Sequence, residues 1–168
     1  MSDLAEFRKM KDEYFAQDHQ SPLTHSQRNN FEGLQYFPEN EALRLEVDIE
    51  KFPEQKQLQM QTSTGDVQTY TRYGRLKFQV NGQEAELTIY SSHQGYFLPF
   101  VDSQAGEITY GAGRYLDPEQ LSNGKFSIDF NIAYNPYCAY NEEYSCPIPP
   151  AENRLSVPIK AGEKNFKE

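Results

Sequence analysis

The feature that most constrains this chain is a dipeptide, Asn81-Gly82, set between the runs RLKFQV and QEAELTIY. Both residues tolerate positive φ, which a two-residue type I′ hairpin demands at its two central positions. Centring a hairpin there pairs Phe78 with Ala85 and Leu76 with Leu87 on one face. That face is apolar throughout, and a slip of one residue would turn the whole set to water, so the register is specified. An antiparallel sheet therefore lies at the centre of the fold.

The surrounding sequence extends the sheet. Leu43, Leu45, Val47 and Ile49 alternate with Arg44, Glu46, Asp48 and Glu50, the period of a half-buried strand. QLQMQTST, Gly65-Asp66 and VQTYTRY read as a second hairpin. Further strands are expected around 94–100, 107–116 and 125–131, and a last one over 154–159, where Pro158 restricts it to a sheet edge. No helix fits between these strands, so parallel crossovers are excluded. Upstream, Leu4, Phe7, Met10 or Lys11, and Tyr14 recur at helical spacing over 2–17, with Ser2 or Asp3 as cap. Ser21-Pro22 then reads as an N-cap followed by proline at the first position of a short helix over 22–30. The expected fold is mainly β: an antiparallel β-barrel or strongly curved sandwich with two short N-terminal helices. It forms a single domain, 1–168, with residues 1–30 as a helical cover and 34–164 as the β unit and its proline-rich wrap.

Charge narrows the partners. The formal net charge of -9 disfavours phosphate neutralisation, and with it nucleic acid, as well as attraction to anionic membranes. Twelve tyrosines and eleven phenylalanines argue against disorder, because each buries a large area. MSDLAEFRKMKDEYF lacks a secretory apolar core and no run approaches ~20 apolar residues, so the expected compartment is the cytoplasm, with reduced thiols.

Candidate chemistry gathers late in the chain. In Thr109-Tyr-Gly-Ala-Gly113-Arg114-Tyr115-Leu116, read as a strand, Gly111 and Gly113 bare one face for close approach. Arg114 offers a fork to an anionic ligand, or to an internal acid such as Asp129. Asp129 and Asn131 alternate with Phe126, Ile128 and Phe130, and lie at the end of their strand before the Tyr134-Asn135-Pro136 turn. Pro147, Pro149 and Pro150 stiffen the segment that leads to Glu152 and Asn153, returning them towards Arg114 or serving as ordinary turn residues. Cys138 and Cys146 are read as small packing thiols. A zinc set of Cys138, Cys146 and His93 is an alternative with unusual spacing, and a disulfide between the cysteines would be transient in a reducing compartment. Walker, G-x-S-x-G and H-E-x-x-H motifs are absent from the sequence.

TYGAGRYL followed by DFNIAYNPYCAYNEEYSCPIPPAENRLSVPIKAGEK resembles the C-terminal signature of the prokaryotic family known as domain of unknown function 1684. The resemblance covers Val101 to Lys164, and Ser21 to Asn40 is similar to the family's short form. It implies no particular activity. It marks Tyr110, Gly113, Arg114, Tyr115, Asp129, Asn131, Tyr134, Asn135, Pro136, Cys138, Cys146, Pro147, Glu152, Asn153 and Glu163 as motif positions.

The first functional expectation is a small-molecule binder. Arg114 would supply charge to a small polar or anionic ligand, Tyr110, Tyr115 and Tyr134 would stack or hydrogen-bond, and Asp129, Asn131, Asn135 and Asn153 would orient it. The alternatives are a hydrolase with Asp129 or Glu152 as general base beside Arg114, a purely structural module, and a flavin binder by fold analogy. No cofactor is expected; flavin and zinc are the alternatives.

Overall fold

The computed structural model describes residues 3–166. Helix α1 spans Asp3–Gln17 and α2 spans His25–Asn29. Nine strands follow: β1 Arg44–Val47, β2 Glu50–Lys51, β3 Gln57–Gln61, β4 Val67–Val80, β5 Gln83–Ser92, β6 Gly95–Phe100, β7 Arg114–Leu116, β8 Glu119–Gln120 and β9 Phe126–Asp129. They make two antiparallel sheets. The larger runs β2-β4-β5-β6-β7, with β3 also paired to β4, and the smaller runs β1-β9-β8. Neither sheet closes on itself, so the expected barrel closure does not form.

The Asn81-Gly82 hairpin folds as its chemistry requires. Asn81 has φ 51° and Gly82 φ 82°, and Leu76 pairs with Leu87 and Phe78 with Ala85. The core lies between the sheets: Leu76, Phe78, Leu87, Ile89, Leu98, Phe100 and Leu116 from one meet Phe126 and Ile128 from the other. A smaller aromatic cluster of Phe15, Leu23, Leu34 and Tyr140 seats α1. Lys11 pairs there with buried Glu163, and Asp12 accepts from the Leu34 amide at 3.1 Å.

Four expectations need correction. The second helix starts later: Thr24, not Ser21, caps it, in a capping box with Gln27, while the Ser21 hydroxyl donates to the Phe15 carbonyl. Of the strand expected over 107–116, only Arg114–Leu116 is a strand; the residues before it fold into turns, with one isolated bridge from Thr109 to Ala105 and Thr109 Oγ1 donating to Asp102 at 2.6 Å. Strand β9 ends at Asp129, whose carboxylate accepts from the Asn131 amide and turns the chain into a 3₁₀ turn. Residues 154–159 form no strand; beyond a single bridge from Arg154 to Val101 they run as an irregular wrap that bends at Ser156-Val157. Ser2, one of the two expected caps, lies outside the described residues.

One irregularity decides what the outer sheet face carries. The β4–β5 register shifts between Arg72 and Gly74. Because side chains alternate with period two, the extra residue moves Gln68 and Tyr70 to the face opposite Leu76 and Phe78. The sheet therefore buries one face in the core and turns Tyr70, Ser92, Phe97 and Tyr115 the other way.

Gly113, next to β7, occupies φ +100°. A Cβ there would sit 2.6 Å from the Phe100 carbonyl oxygen and 3.0 Å from Pro149 Cγ. The Gly113→Ala variant is expected to lose roughly 1–3 kcal/mol or more, from left-handed strain plus a backbone clash that no rotamer relieves. Equilibrium urea unfolding measures it, and a change under about 0.5 kcal/mol would be that of an unconstrained surface site.

Candidate binding cleft

A cleft of about 790 Å³ lies on the outer face of the larger sheet. Its walls come from three parts of the chain. Helix α1 contributes Phe7, Met10 and Lys11; the sheet contributes Gln68, Tyr70, Tyr96, Phe97, Tyr115 and Asp117; the signature loop contributes Tyr134, Tyr137, Tyr144, Cys146 and Pro147. Eight aromatic rings line it. Tyr70 stacks on Phe97 with centroids 5.3 Å apart and planes 25° apart, and Phe97 meets Tyr115 edge-on at 4.8 Å. Tyr115 in turn meets Tyr134 at 88°. Offset and edge-to-face contacts of this kind fix ring orientation before any ligand arrives.

The hydroxyls are also held. Tyr115 donates to the Pro147 carbonyl, and Tyr134 to Asp117 at 2.6 Å. Burial, the largest cause, raises both phenols well above the ordinary tyrosine range, so they are neutral donors. Lys11 is drawn away by Glu163. The cleft is thus largely apolar and aromatic, with fixed hydroxyls at its edge.

The sequence-identified residues fall into separate places. Tyr115 and Tyr134 line the cleft. Tyr110 does not; its hydroxyl lies 3.8 Å from Cys138 Sγ. Arg114 is 1% exposed and faces inward. Its Nη1 donates to the Ala161 and Glu163 carbonyls, and Nη2 donates to the Ile159 carbonyl at 2.9 Å. The chain bends at Ala161-Gly162, where Gly162 takes φ +80°, and the three carbonyls meet at one guanidinium. Asp102 supplies the countercharge at 3.6 Å from Nη2 while its Oδ2 accepts from the Ile159 amide. Burial pulls the Arg114 pKa down to about 10, against the opposing pull of Asp102 and Glu163, and leaves it charged at neutral pH.

The three signature asparagines bridge backbone segments. Asn131 accepts from the Asn40 amide at 2.8 Å and donates to the Asn40 carbonyl at 2.9 Å, as a neighbouring strand would. Asn135 donates to the Lys164 carbonyl. Asn153 fills a gap in the larger sheet. The β5–β6 register, Tyr90 with Phe97, places Thr88 opposite Pro99. Pro99 has no N–H, so the ladder lacks a donor there. The Asn153 amide supplies it: Nδ2 donates to the Thr88 and Pro99 carbonyls at 2.9 and 2.7 Å, and Oδ1 accepts from the Thr88 amide at 2.8 Å.

The two carboxylates put forward as bases are engaged apart from Arg114. Asp129 accepts from Arg44 Nε at 3.2 Å, beside a second, smaller cleft. Glu152 accepts from Arg72 at 2.7 Å and from the Tyr90 hydroxyl. Its pKa is lowered; burial opposes the fall, and the Arg72 and Tyr90 hydrogen bonds together outweigh it. Among the described residues no hydrogen bond or ion pair joins Arg114 to Asp129, Glu152 or Asn153, so the expected convergence of these four does not occur. His93 is exposed in the β5–β6 turn, and no group of three His, Cys, Asp or Glu among the described residues is placed to hold a metal.

Sequence reasoning missed Phe7, Tyr70, Phe97, Asp117, Tyr137 and Tyr144. The available signal was the bulge, where the alternation of β4 changes phase around Tyr73-Gly74.

Residues 29–164 match the family model described as protein of unknown function (DUF1684). The chain belongs to this family. DUF1684 thus includes the cleft floor and the signature loop, while α1 precedes the matched residues. The chain is also similar to the uncharacterized protein from gene locus rrnAC0354 of Haloarcula marismortui, whose structure was determined by solution NMR. The two are 33% identical with a TM-score of 0.70, over 96% of this chain and 91% of that one. A comparison with the curated proteins finds no match. No helix among the described residues is long and apolar enough to cross a membrane.

Proposed function

We propose that this DUF1684 protein is a binding module whose aromatic cleft takes a small, flat, predominantly apolar and uncharged molecule. The observation that carries this reading is the pre-formed cleft of about 790 Å³ with eight rings around it, within the size range of small-molecule sites. Ring-to-ring contacts and the bonds from Tyr115 and Tyr134 remove the ordering cost that a loose aromatic surface would carry. The charge complement favours neutral cargo, because Lys11 is paired with Glu163 and Arg114 is committed to carbonyls. This departs from the polar or anionic ligand expected around Arg114. The orphaning cost of withdrawing that guanidinium from three carbonyls argues against its serving a ligand. The general-base alternative has no comparable support, since both carboxylates are held by arginines distinct from Arg114.

The test is titration with a neutral planar fluorophore such as Nile red, alongside native mass spectrometry for a co-purifying molecule. Gln94→Trp should plug the mouth and Phe97→Ala should remove the stacking floor. Phe97→Ala is expected to weaken dye binding about tenfold or more, the loss of one ring contact plus its buried area, and Gln94→Trp to weaken it by occupying cleft volume. Asp129→Ala should leave it unchanged. Equal dye affinity in wild type, Gln94→Trp and Phe97→Ala, all folded, would end the proposal.

A further inference from the structure

The two cysteines sit together at the cleft wall, which Cys146 helps to line, and the binding reading gives their thiol chemistry no part. Cys138 opens onto the surface at partial exposure, while Cys146 is 7% exposed. The Cys138 backbone N–H donates to Cys146 Sγ at 3.3 Å, which sets the second sulfur against the first cysteine's backbone. Three further groups steady the pair. The Tyr110 hydroxyl lies 3.8 Å from Cys138 Sγ, and Ser63, from the β3–β4 turn, accepts from the Cys146 amide at 3.1 Å. The Ser63 amide donates to the Cys146 carbonyl at 2.9 Å. Cysteines separated by seven residues in sequence are thus held beside each other by the β3–β4 turn and the proline wrap.

We propose that Cys138 and Cys146 form a dithiol modification site that a hydroperoxide oxidises to an intramolecular disulfide, with Cys138 as the attacking and Cys146 as the resolving thiol. The assignment follows from exposure and hydrogen bonding. Cys138 is the more accessible sulfur and has the Tyr110 hydroxyl beside it, so it meets a peroxide first, while the buried Cys146 lies behind it as the second thiol. The proximity of the Cys146 thiol, first, with the Tyr110 hydroxyl and against the opposing effect of burial, pulls the Cys138 pKa down to about 6, while Cys146 is pushed up.

The Cys138 thiolate attacks one peroxide oxygen, the O–O bond breaks, and hydroxide (or alkoxide) leaves with the electron pair. Cys138 becomes a sulfenic acid, its sulfur oxidised by two electrons as the peroxide is reduced. Cys146 then attacks that sulfur, its proton going to the departing hydroxyl, which leaves as water. A dithiol reductant reverses the bond by exchange.

The experiment uses the whole protein. At neutral pH, limiting iodoacetamide should label Cys138 about tenfold faster than Cys146. Stoichiometric hydrogen peroxide should remove two hydrogens from the intact mass, join the peptides carrying Cys138 and Cys146, and block both thiols until dithiothreitol is added. Cys146→Ser should instead stop at a sulfenic acid, trapped by dimedone on Cys138. Cys138→Ser should consume peroxide no faster than a free buried thiol. Melting curves identify any variant that fails to fold, and the wild-type peptide map then decides alone. Overoxidation of Cys138 without a crosslink, crosslinks only between molecules, or equal labelling of both thiols would each overturn the proposal.

Discussion

Replacing Arg114 with methionine is expected to destabilise the protein by roughly 3–5 kcal/mol, the cost of breaking a buried charge-paired network by removing one partner. The side chain is 1% exposed and donates to the carbonyls of Ile159, Ala161 and Glu163, with Asp102 beside it. Without it, three carbonyls lose a charged donor and the Asp102 carboxylate loses its countercharge. The wrap from Arg154 to Glu163 forms no strand, and these bonds tie it down alongside the buried Val157, Ile159 and Ala161 side chains and single backbone bonds to its neighbours. Arg114→Lys keeps the charge but cannot fork to three acceptors, and should recover less than half of the loss. Thermal unfolding should fall by roughly 10 °C or more for a chain of this size. Dye affinity of the folded fraction should be preserved, because Arg114 does not line the cleft. A melting point near wild type would show that the network contributes nothing.

The second large effect is expected at Asn153. Asn153→Ala orphans the Thr88 N–H and the Thr88 and Pro99 carbonyls inside the sheet. At about 1–3 kcal/mol for each buried group left without a partner, partly relaxed, the loss should total roughly 3–5 kcal/mol. Asn153→Asp sharpens the test. It keeps the size but aims a carboxylate at two carbonyls, which raises its folded-state pKa above the unfolded value of about 3.9. A raised pKa means that stability is retained below the unfolded value and lost as pH rises through the folded one. The difference from wild type in urea unfolding should therefore be smaller near pH ~3.5 than near pH ~7. A pH-independent difference would show that the introduced carboxylate escapes to solvent.

Much of the candidate cleft was invisible in sequence for a stateable reason. Tyr115 and Tyr134 were found because they lie in the signature, but Tyr70 and Phe97 read as ordinary strand positions. Which face they take depends on the bulge between Arg72 and Gly74. Period-two logic holds within a strand and carries no information across an inserted residue. Phe7 read as part of the apolar stripe of a helix, yet it is 43% exposed and turned to the cleft wall. The asparagines misled in another way. Asn131, Asn135 and Asn153 look like ligand-orienting amides, and an amide that completes a backbone ladder has the same sequence signature as one that orients a ligand. Only Pro99, opposite Thr88, hinted that a donor was missing, and that needed the β5–β6 register first.

The amino-acid sequence by itself determined the local chemistry: Asn81-Gly82 and its apolar flanks set the central hairpin and its register, and the alternation at Leu45 and Val47 set a half-buried strand. These are decided by neighbours in the chain, through φ preference and side-chain period. The tertiary structure decided everything that depends on segments meeting across the fold. It put Arg114 in the interior with Asp102, turned Asn153 into a stitch, brought Cys138 against Cys146, and left the tyrosines around an open cleft. A guanidinium, an amide or a thiol takes its role from its partners and its exposure to water. Both are properties of the packed chain.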